Sequence, residues 1–205
     1  MMRRVYLRQN RRRFAALLGL GGWARNSAQA EQDTQHMYDE LKIDPIGVIE
    51  TPFREPAGTP IQPSRANGAR GTVRIEPRFQ AGLKDLAGFE RIWLIYWLHK
   101  APKSSLLVTP FLDTRERGIF ATRAPARPSP IGISAVRLLA IQEGVLDVAD
   151  VDIIDGTPLL DIKPYVPEFD CYPNSKAGWF DESNSKRRLA DDRFDSTPGK
   201  GPEQR

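Results

Sequence analysis

The sequence is poor in the residue types that build metal clusters and disulfide frameworks. Cys171 is its single cysteine, and His36 and His99 are its two histidines. One cysteine excludes an intramolecular disulfide and a cysteine-based metal cluster, and two histidines argue against a histidine metal site. We therefore expect neither a disulfide scaffold nor a resident metal ion.

Two further features are missing. The apolar stretch at residues 15–24 is far shorter than the ~20 residues that a membrane-spanning helix needs. A Rossmann methyltransferase needs a glycine-rich turn between its first strand and a helix, and the glycines of residues 67–71 lack both the spacing and the helix. Membrane insertion and a Rossmann fold are therefore not expected.

Positive charge is concentrated at the N-terminus. The chain has 30 basic and 26 acidic residues, but residues 1–30 hold seven arginines and no acid, which leaves 23 basic against 26 acidic groups. This balance gives no support for binding a nucleic acid through a broadly basic surface. A local patch is left open, formed by Arg54, Arg65, Arg70, Arg74 and Arg78.

The N-terminal segment has the layout of a twin-arginine export signal. Residues 11–14 read RRRF, a weakly apolar stretch follows, and Ala28-Gln-Ala30 is a small-residue cleavage motif. We interpret residues 1–36 as a leader or twin-arginine-like signal. Cleavage near Glu31 predicts a periplasmic protein, whereas translation from Met37 predicts a cytoplasmic one, which we favour.

Residues 123–130 form a stiffened loop. Three prolines fix φ, remove backbone donors and push the residues before them away from helical geometry. The loop presents Arg123 and Arg127, whose planar guanidinium groups suit carboxylates and phosphates. A small anionic group is therefore the expected ligand of this loop.

A second polar cluster follows. Residues 150–154 alternate polar and apolar, which predicts a half-buried strand, and Asp155-Gly156 is a turn signal. Residues 159–162 resume an extended run that Lys163-Pro164 is expected to stop. The charged groups of this cluster then lie at strand ends, where binding groups are common. For any single residue, turn formation or a solvated ion pair is the more frequent explanation, whereas the residues taken together favour a binding site.

Short apolar runs separated by Gly, Pro and Asp predict a mainly β protein, either a barrel or a sandwich. The runs cover residues 46–50, 72–76, 91–98, 131–141, 145–154 and 159–162. One helix is predicted at residues 78–87, where large apolar residues recur at helical spacing. We place one folded domain at residues 37–180. The charged residues 181–205 have few large apolar groups and are predicted to be a disordered polar tail.

Two motifs carry a family resemblance. Residues 121–134, ATRAPARPSPIGIS, and residues 155–165, DGTPLLDIKPY, together closely resemble the TsaA-like (YaeB) family. Its members are bacterial and archaeal methyltransferases that use S-adenosylmethionine. Characterised members methylate the N6 nitrogen of threonylcarbamoyl-adenosine beside the anticodon of a tRNA. The resemblance extends from about residue 46 to residue 179.

Other segments agree with that resemblance. Residues 46–53 look like the family's opening strand, and residues 59–63 correspond to its proline-arginine-glutamine-proline turn. Ile61 stands where many relatives have arginine, so one contact to the polar end of the ligand is expected to be lost. Residues 88–100 match the strand that ends in a histidine at the ligand site, here His99.

The resemblance implies a small TsaA-like β-barrel with short helices, assembled as a homodimer with the cofactor near the subunit interface. It implies an S-adenosylmethionine site built from Pro60, Ile61, Gln62, His99, Lys100, Arg123, Ile153, Ile154, Asp155 and Gly156. We assign Arg127 and Lys163 to a substrate phosphate or to the threonyl carboxylate. Asp161 or Tyr165 is expected to orient a proton-accepting water.

Two function hypotheses follow. In the first, the chain is an S-adenosylmethionine-dependent methyltransferase that acts on tRNA or on a smaller substrate. In the second, it is an exported, non-catalytic TsaA-like protein that binds an anionic small molecule through Arg123, Arg127 and Lys163. The true N-terminus discriminates between them, because neither tRNA nor S-adenosylmethionine is expected outside the cytoplasm.

Overall fold

The computed structural model describes residues 5–6, 42–183 and 185–195, and the chain divides into two units, Met1–Asp44 and Pro45–Arg205. In the first unit, strand β1 (Val5–Tyr6) pairs antiparallel with β2 (Lys42–Ile43). The other residues of the leader predicted at 1–36 lie outside the described part of the chain.

The second unit is built on antiparallel strands. They are β3 (Gly47–Glu50), β4 (Arg70–Ile75), β5 (Arg91–Trp97), β6 (Leu107–Val108), β7 (Arg117–Gly118), β8 (Ile131–Gln142), β9 (Val145–Ala149) and β10 (Thr157–Pro164). Six of them close into a barrel in the order β10-β3-β4-β9-β8-β5, and β6 and β7 form a separate two-stranded sheet. The predicted mainly β barrel is confirmed, and the homodimer stays a prediction.

Alternation along the strands fills the barrel. In β5, every second residue is buried, so that Ile92, Leu94 and Tyr96 face inward. Strands β8 and β9 are joined by the tight turn at Glu143-Gly144, where both residues have positive φ. The barrel core consists of Ile49, Val73, Ile75, Ile92, Leu94, Tyr96, Val136, Leu146, Val148, Val151, Ile153 and Leu159.

Helices are short. The α-helix α1 is Pro167–Asp170, and the 3₁₀ helices are Pro63–Arg65, Pro77–Leu83, Leu86–Gly88, Ile119–Ala121, Gly178–Glu182 and Asp192–Phe194. The single helix predicted at residues 78–87 is wrong, because Asp85 adopts a left-handed conformation with φ of 66° and separates two 3₁₀ segments. Among the described residues, no helix is long and apolar enough to cross a membrane.

Strand boundaries differ from prediction at two places. The strand expected over residues 145–154 ends at Ala149, because Asp150 has a φ of 67° and leaves the extended region. Strand β10 continues through Pro164, which pairs with Ile92, instead of stopping before Lys163. The first difference matters most, because it re-aims the residues that follow Asp150.

The disordered tail predicted at 181–205 differs from the structure over residues 185–195, which we call the strap. Leu189 forms a β-bridge with Pro60, and the Ala190 amide donates to the Thr59 carbonyl at 2.8 Å. Phe194 is buried. The composition of the strap is polar, but its backbone groups and one aromatic ring find partners in the folded unit. Residues 184 and 196–205 lie outside the described part.

Candidate functional site

A pocket of about 280 Å³ opens where β5 ends and β8 and β10 begin. Its walls come from residues 56–62, from the loops on either side of β6 and β7, and from the strap. A small apolar cluster supports the outer wall and consists of Val108, Ile119, Ala124, Ala126 and Phe194, packed against Phe111. Pockets of this size and lining commonly hold small molecules.

The floor of the pocket depends on Gly132. A Cβ atom there would lie 2.2 Å from a ring carbon of Tyr96, so only glycine lets β8 pass so close to that ring. The Tyr96 hydroxyl lies 3.0 Å from the Ser134 hydroxyl, and the Ser134 hydroxyl donates to Asp152 Oδ1 at 2.6 Å. Because Ser134 uses its only proton on Asp152, Tyr96 donates to Ser134.

Asp152 is the perturbed acid of the pocket. Removal from water raises its pKa to about 7, against the opposing effects of the Ser134 hydrogen bond and the positive charge of Arg123. Burial, together with the nearby Asp152, also raises the pKa of Tyr96. Sequence analysis missed Asp152 as a site residue and treated it as the polar face of a strand. The available signal was its position three residues before Asp155, the first residue of the predicted Asp155-Gly156 turn.

His99 lies at the end of β5 and has a defined tautomer. The Thr157 hydroxyl donates to the Ile154 carbonyl at 2.6 Å, so in its 3.3 Å contact with His99 Nδ1 it accepts. The proton of neutral His99 is therefore on Nδ1, and Nε2 is an acceptor. Burial and Lys100 lower the pKa of His99 despite the opposing charge of Asp155. The ring is neutral at pH 7.

Arg123 is held in the pocket by Gln62. Its Nη1 donates to Gln62 Oε1 at 2.7 Å, which joins the proline-rich loop to residues 59–62. Arg123 and Asp152 both line the pocket, yet no ion pair between them is found among the described residues. The space between two opposite charges is thus open to a ligand that carries both signs.

The pocket gathers most of the predicted cofactor residues. Those that line it are Pro60, Ile61, Gln62, His99, Lys100, Arg123, Ile153 and Ile154, together with the predicted substrate residue Arg127. Arg127 also folds its own loop, because its Nη1 donates to the Ile119 and Thr122 carbonyls at 3.1 and 2.8 Å. The roles of these residues toward a ligand stay predictions.

Asp155 and Gly156 lie behind the pocket wall. The Asp155 carboxylate accepts from the Thr51 amide at 2.9 Å and pairs with Arg54. Gly156 has a φ of 73° and its amide donates to the Ile49 carbonyl. In this structure the two residues anchor the turn, which is the simpler explanation that the sequence left open.

The structure separates Asp161, Lys163 and Tyr165 from the pocket. Asp161 and Lys163 form a 2.8 Å ion pair that is largely exposed, and the Tyr165 ring lies 5.6 Å from the Trp93 ring. Asp161 and Lys163 occupy the second half of β10 and Tyr165 follows its last residue, whereas the pocket uses the first residue of the strand, Thr157. In a single copy of the chain they share no surface with the predicted cofactor residues.

In the described part of the chain, no group of three or more His, Cys, Asp and Glu side chains could hold a metal ion.

The chain is similar to proteins of known name. Residues 48–171 match the family model described as the tRNA-methyltransferase O N-terminal domain. A probable S-adenosyl-L-methionine-binding protein of Pyrococcus abyssi is 53% identical over 148 residues, which cover 72% of this chain and 80% of that protein. The tRNA (adenine(37)-N6)-methyltransferase of Homo sapiens is 35% identical over 141 residues, or 65% of this chain and 32% of that protein.

The fold is also similar to a solved structure. The crystal structure of TrmO from Pseudomonas aeruginosa superposes with a TM-score of 0.58 at 38% sequence identity. The match covers 68% of this chain and 62% of that chain. The similarity therefore includes the barrel and extends over part of the longer neighbour.

Proposed function

The chain belongs to the family of tRNA-methyltransferase O N-terminal domains, and we propose that it methylates the N6 nitrogen of threonylcarbamoyl-adenosine beside the anticodon of a tRNA, with S-adenosylmethionine as methyl donor. Membership confirms the resemblance to the TsaA-like family that the two motifs carried. The observation that supports the proposal best is the pocket itself, which joins residues of both motifs at one end of the barrel.

The pocket residues fit the chemical groups of S-adenosylmethionine. A methionine carboxylate matches the guanidinium of Arg123, which Gln62 already holds in place. Apolar surface for an adenosine is provided by Pro60, Ile61 and Ile154. When bound, S-adenosylmethionine supplies an activated methyl group.

A basic rim beside the pocket supports RNA as the methyl acceptor. It consists of Arg65 and Arg188, whereas the neighbouring Arg187 pairs with Asp191. The Ile61 amide donates to the Arg188 carbonyl at 3.0 Å, directly at the pocket wall. Arg188 Nη2 donates to the Arg65 carbonyl at 3.2 Å, which holds the two segments together. Backbone carbonyls carry no formal charge, so the positive charges of Arg65 and Arg188 stay available to phosphates.

The direct test is methyl transfer to defined tRNAs. The full chain is incubated with S-adenosylmethionine and a tRNA that carries threonylcarbamoyl-adenosine, or the same tRNA without that modification, and nucleosides are identified by mass spectrometry. Methylation of the modified tRNA alone is expected. Arg123→Ala should abolish binding of S-adenosylmethionine in calorimetry, and Arg115→Ala, an exposed arginine of the same loop region, should not. A folded protein that binds S-adenosylmethionine and methylates neither tRNA contradicts the proposal.

That outcome would favour a second function, a binding protein without catalysis. The name of the Pyrococcus abyssi relative favours it, because that protein is described by binding alone. The exported form of this hypothesis depends on the N-terminal segment, and the compartment stays a prediction: cytoplasmic from a Met37 start, periplasmic after cleavage near Glu31. Mass determination of the N-terminus in fractionated cells discriminates between them.

We also expect a homodimer. On the loops around β6 and β7, Leu106, Leu107 and Phe120 are 67%, 57% and 78% exposed, and large exposed apolar groups are common at subunit interfaces. Phe120→Ser should shift the protein toward monomer in light scattering, while Phe169→Ser, at a position of α1 that is 67% exposed, should not. A wild-type protein that is monomeric at high concentration contradicts this expectation.

A further inference from the structure

We propose that Asp152 accepts the proton that leaves the substrate nitrogen during methyl transfer, and that Ser134 and Tyr96 hold Asp152 in position for it. The inference rests on the proposed function, because it concerns the same pocket and the same reaction. Nothing in the two sequence motifs assigned any of these three residues to chemistry.

The reaction needs such a group. The N6 nitrogen of threonylcarbamoyl-adenosine carries one hydrogen. When its electron pair forms the bond to the methyl carbon, the carbon–sulfur bond breaks and its electrons return to sulfur, which becomes a neutral thioether. The nitrogen must then release its hydrogen as a proton. A carboxylate that takes this proton becomes a carboxylic acid and later returns the proton to water, so charge and atoms balance.

The geometry fits a positioned base. Asp152 lines the pocket, and the hydrogen bond from Ser134 at 2.6 Å fixes one of its two carboxylate oxygens. Ser134 is 1% exposed and Tyr96 is 6% exposed, so both hydroxyls lie in an otherwise apolar interior. An ionised carboxylate only accepts, so the donors run from Tyr96 to Ser134 to Asp152. A base oriented by a buried second group is the recurring arrangement of catalytic sites.

The neighbouring groups on the pocket wall are less suited to the role. Lys100, Arg123 and Arg127 line the pocket as cations and have no lone pair to accept a proton at neutral pH. His99 has a free Nε2, but burial and Lys100 lower its pKa below the ordinary histidine value. The pKa of Asp152 is about 7, closer to the operating pH that makes a general base efficient.

Asp152→Asn tests the proposal against the simpler role of binding a cationic part of the donor. Asparagine keeps the shape and an oxygen for Ser134. The expected result is a fall in kcat of about 10²–10⁴-fold, with affinities for S-adenosylmethionine and for the uncharged-sulfur product S-adenosylhomocysteine that change by less than about threefold. Asp147→Asn, the same change at an exposed position of β9, should leave kcat unaffected.

Three results would overturn the assignment. Unchanged kcat shows that Asp152 is dispensable. A loss of donor affinity as large as the loss of rate shows a binding group. A wild-type enzyme that binds the donor but never methylates overturns the proposed function and this inference together, and that result is distinguishable because it precedes any variant. Circular dichroism of each variant verifies that it is folded.

The pH profile of kcat/KM separates catalysis from structure. The wild-type rate should fall as pH drops through about 7, because only ionised Asp152 accepts a proton, and Asp152→Asn should lack this limb. Ser134→Ala removes a hydrogen bond that favours the ionised form, so it should move the limb to higher pH. The charged and titratable groups that face Asp152 are Arg123 and Tyr96, and burial raises the pKa of Tyr96 further away from this range. A limb that stays fixed in Ser134→Ala contradicts the positioning role.

Discussion

Asp150 and Asp152 lie two residues apart after β9, in two regions of the molecule with opposite electrostatics. Asp150 accepts from Arg137 at 2.9 Å, from Arg91 at 3.1 Å and from the Gly68 amide at 3.1 Å. Burial opposes its charge, but the two arginines outweigh burial and lower the pKa of Asp150. Asp152 has one hydroxyl partner, Ser134, and no hydrogen-bonded arginine, so burial prevails over the charge of Arg123 and raises its pKa. Cationic partners make one carboxylate an anchor, and their absence makes the other a base.

The boundary between the regions is the left-handed backbone of Asp150. Its φ of 67° ends the strand alternation, and Val151 and Ile153 then point into the barrel core. Asp152 consequently faces the pocket end, toward Ser134. Asp150 thus stabilises the fold, while Asp152 lines the ligand site. The predictions below disturb each region in turn.

The largest effect is expected at Gly132, on the core side of the pocket. Gly132→Ala places a methyl 2.2 Å from the Tyr96 ring, which must move and carry its hydroxyl away from Ser134. Overpacking of this kind costs about 1–3 kcal/mol in the free energy of unfolding, and we expect the upper end, near 3 kcal/mol, by urea denaturation. Gly118→Ala, where nothing lies within 4 Å, is the matched control. Equal stability of the two variants would contradict the close packing.

Asp152→Asn should stabilise the protein at pH 8. The folded state holds the Asp152 proton more tightly than the unfolded chain, so wild-type stability falls as pH rises from about 4 to about 7. Asparagine has no proton to lose. A pKa of about 7 in place of 3.8 corresponds to at most about 4 kcal/mol at pH 8. Relaxation and water penetration around the charge reduce this penalty, so the variant should be more stable than wild type by about 2 kcal/mol at pH 8 and by little at pH 4. Denaturation at the two pH values measures this. A variant that is less stable than wild type at pH 8 would show that burial does not destabilise the ionised carboxylate.

The strap is expected to contribute to ligand binding. Phe194 packs edge-on against Phe111 at 5.1 Å and lines the pocket, outside the barrel core. Phe194→Ala should weaken S-adenosylmethionine binding about tenfold, equivalent to 1.4 kcal/mol, as measured by calorimetry. Phe169→Ala, an exposed phenylalanine of α1, should bind as wild type. A strap variant with wild-type affinity would remove the strap from the site.

Asp150→Asn should change the stability in the direction opposite to Asp152→Asn. The folded pKa of Asp150 lies below its unfolded value, so its charge stabilises the fold above about pH 4 and the contribution is lost as pH falls. Because both arginines are over a third exposed, the loss at pH 7 should be modest, about 1 kcal/mol. The same chemical change thus gives opposite signs at positions 150 and 152. A common sign would contradict the comparison.

The barrel was predictable because its signal is local. Strand β5 was predicted at residues 91–98 and spans Arg91–Trp97, since alternating buried residues are visible in the sequence itself. The family resemblance also indicated residues that line the pocket, including Arg123 and Gln62. These parts depend on residues close together in the chain or on a long shared motif.

The missed parts depend on contacts between distant segments. Ser134 and Asp152 become hydrogen-bond partners only when β8 and the segment after β9 meet. No residue spacing in the sequence predicts that contact. The strap was read as disordered from its charge, because composition does not show that Leu189 will meet Pro60 across the folded unit. Asp161 and Lys163 were expected at a strand end, whereas β10 continues through Pro164.

The position of the strap along the chain sets an order of assembly during translation. The barrel closes once β10 has emerged, at Pro164, whereas the pocket wall needs Ala190 and Phe194, which ribosomes deliver roughly 1.5–6 s later. A nascent chain therefore has a closed barrel before it has a complete pocket. By the same reasoning, a protease that removes the residues after 184 would leave a folded barrel that no longer has a complete ligand site.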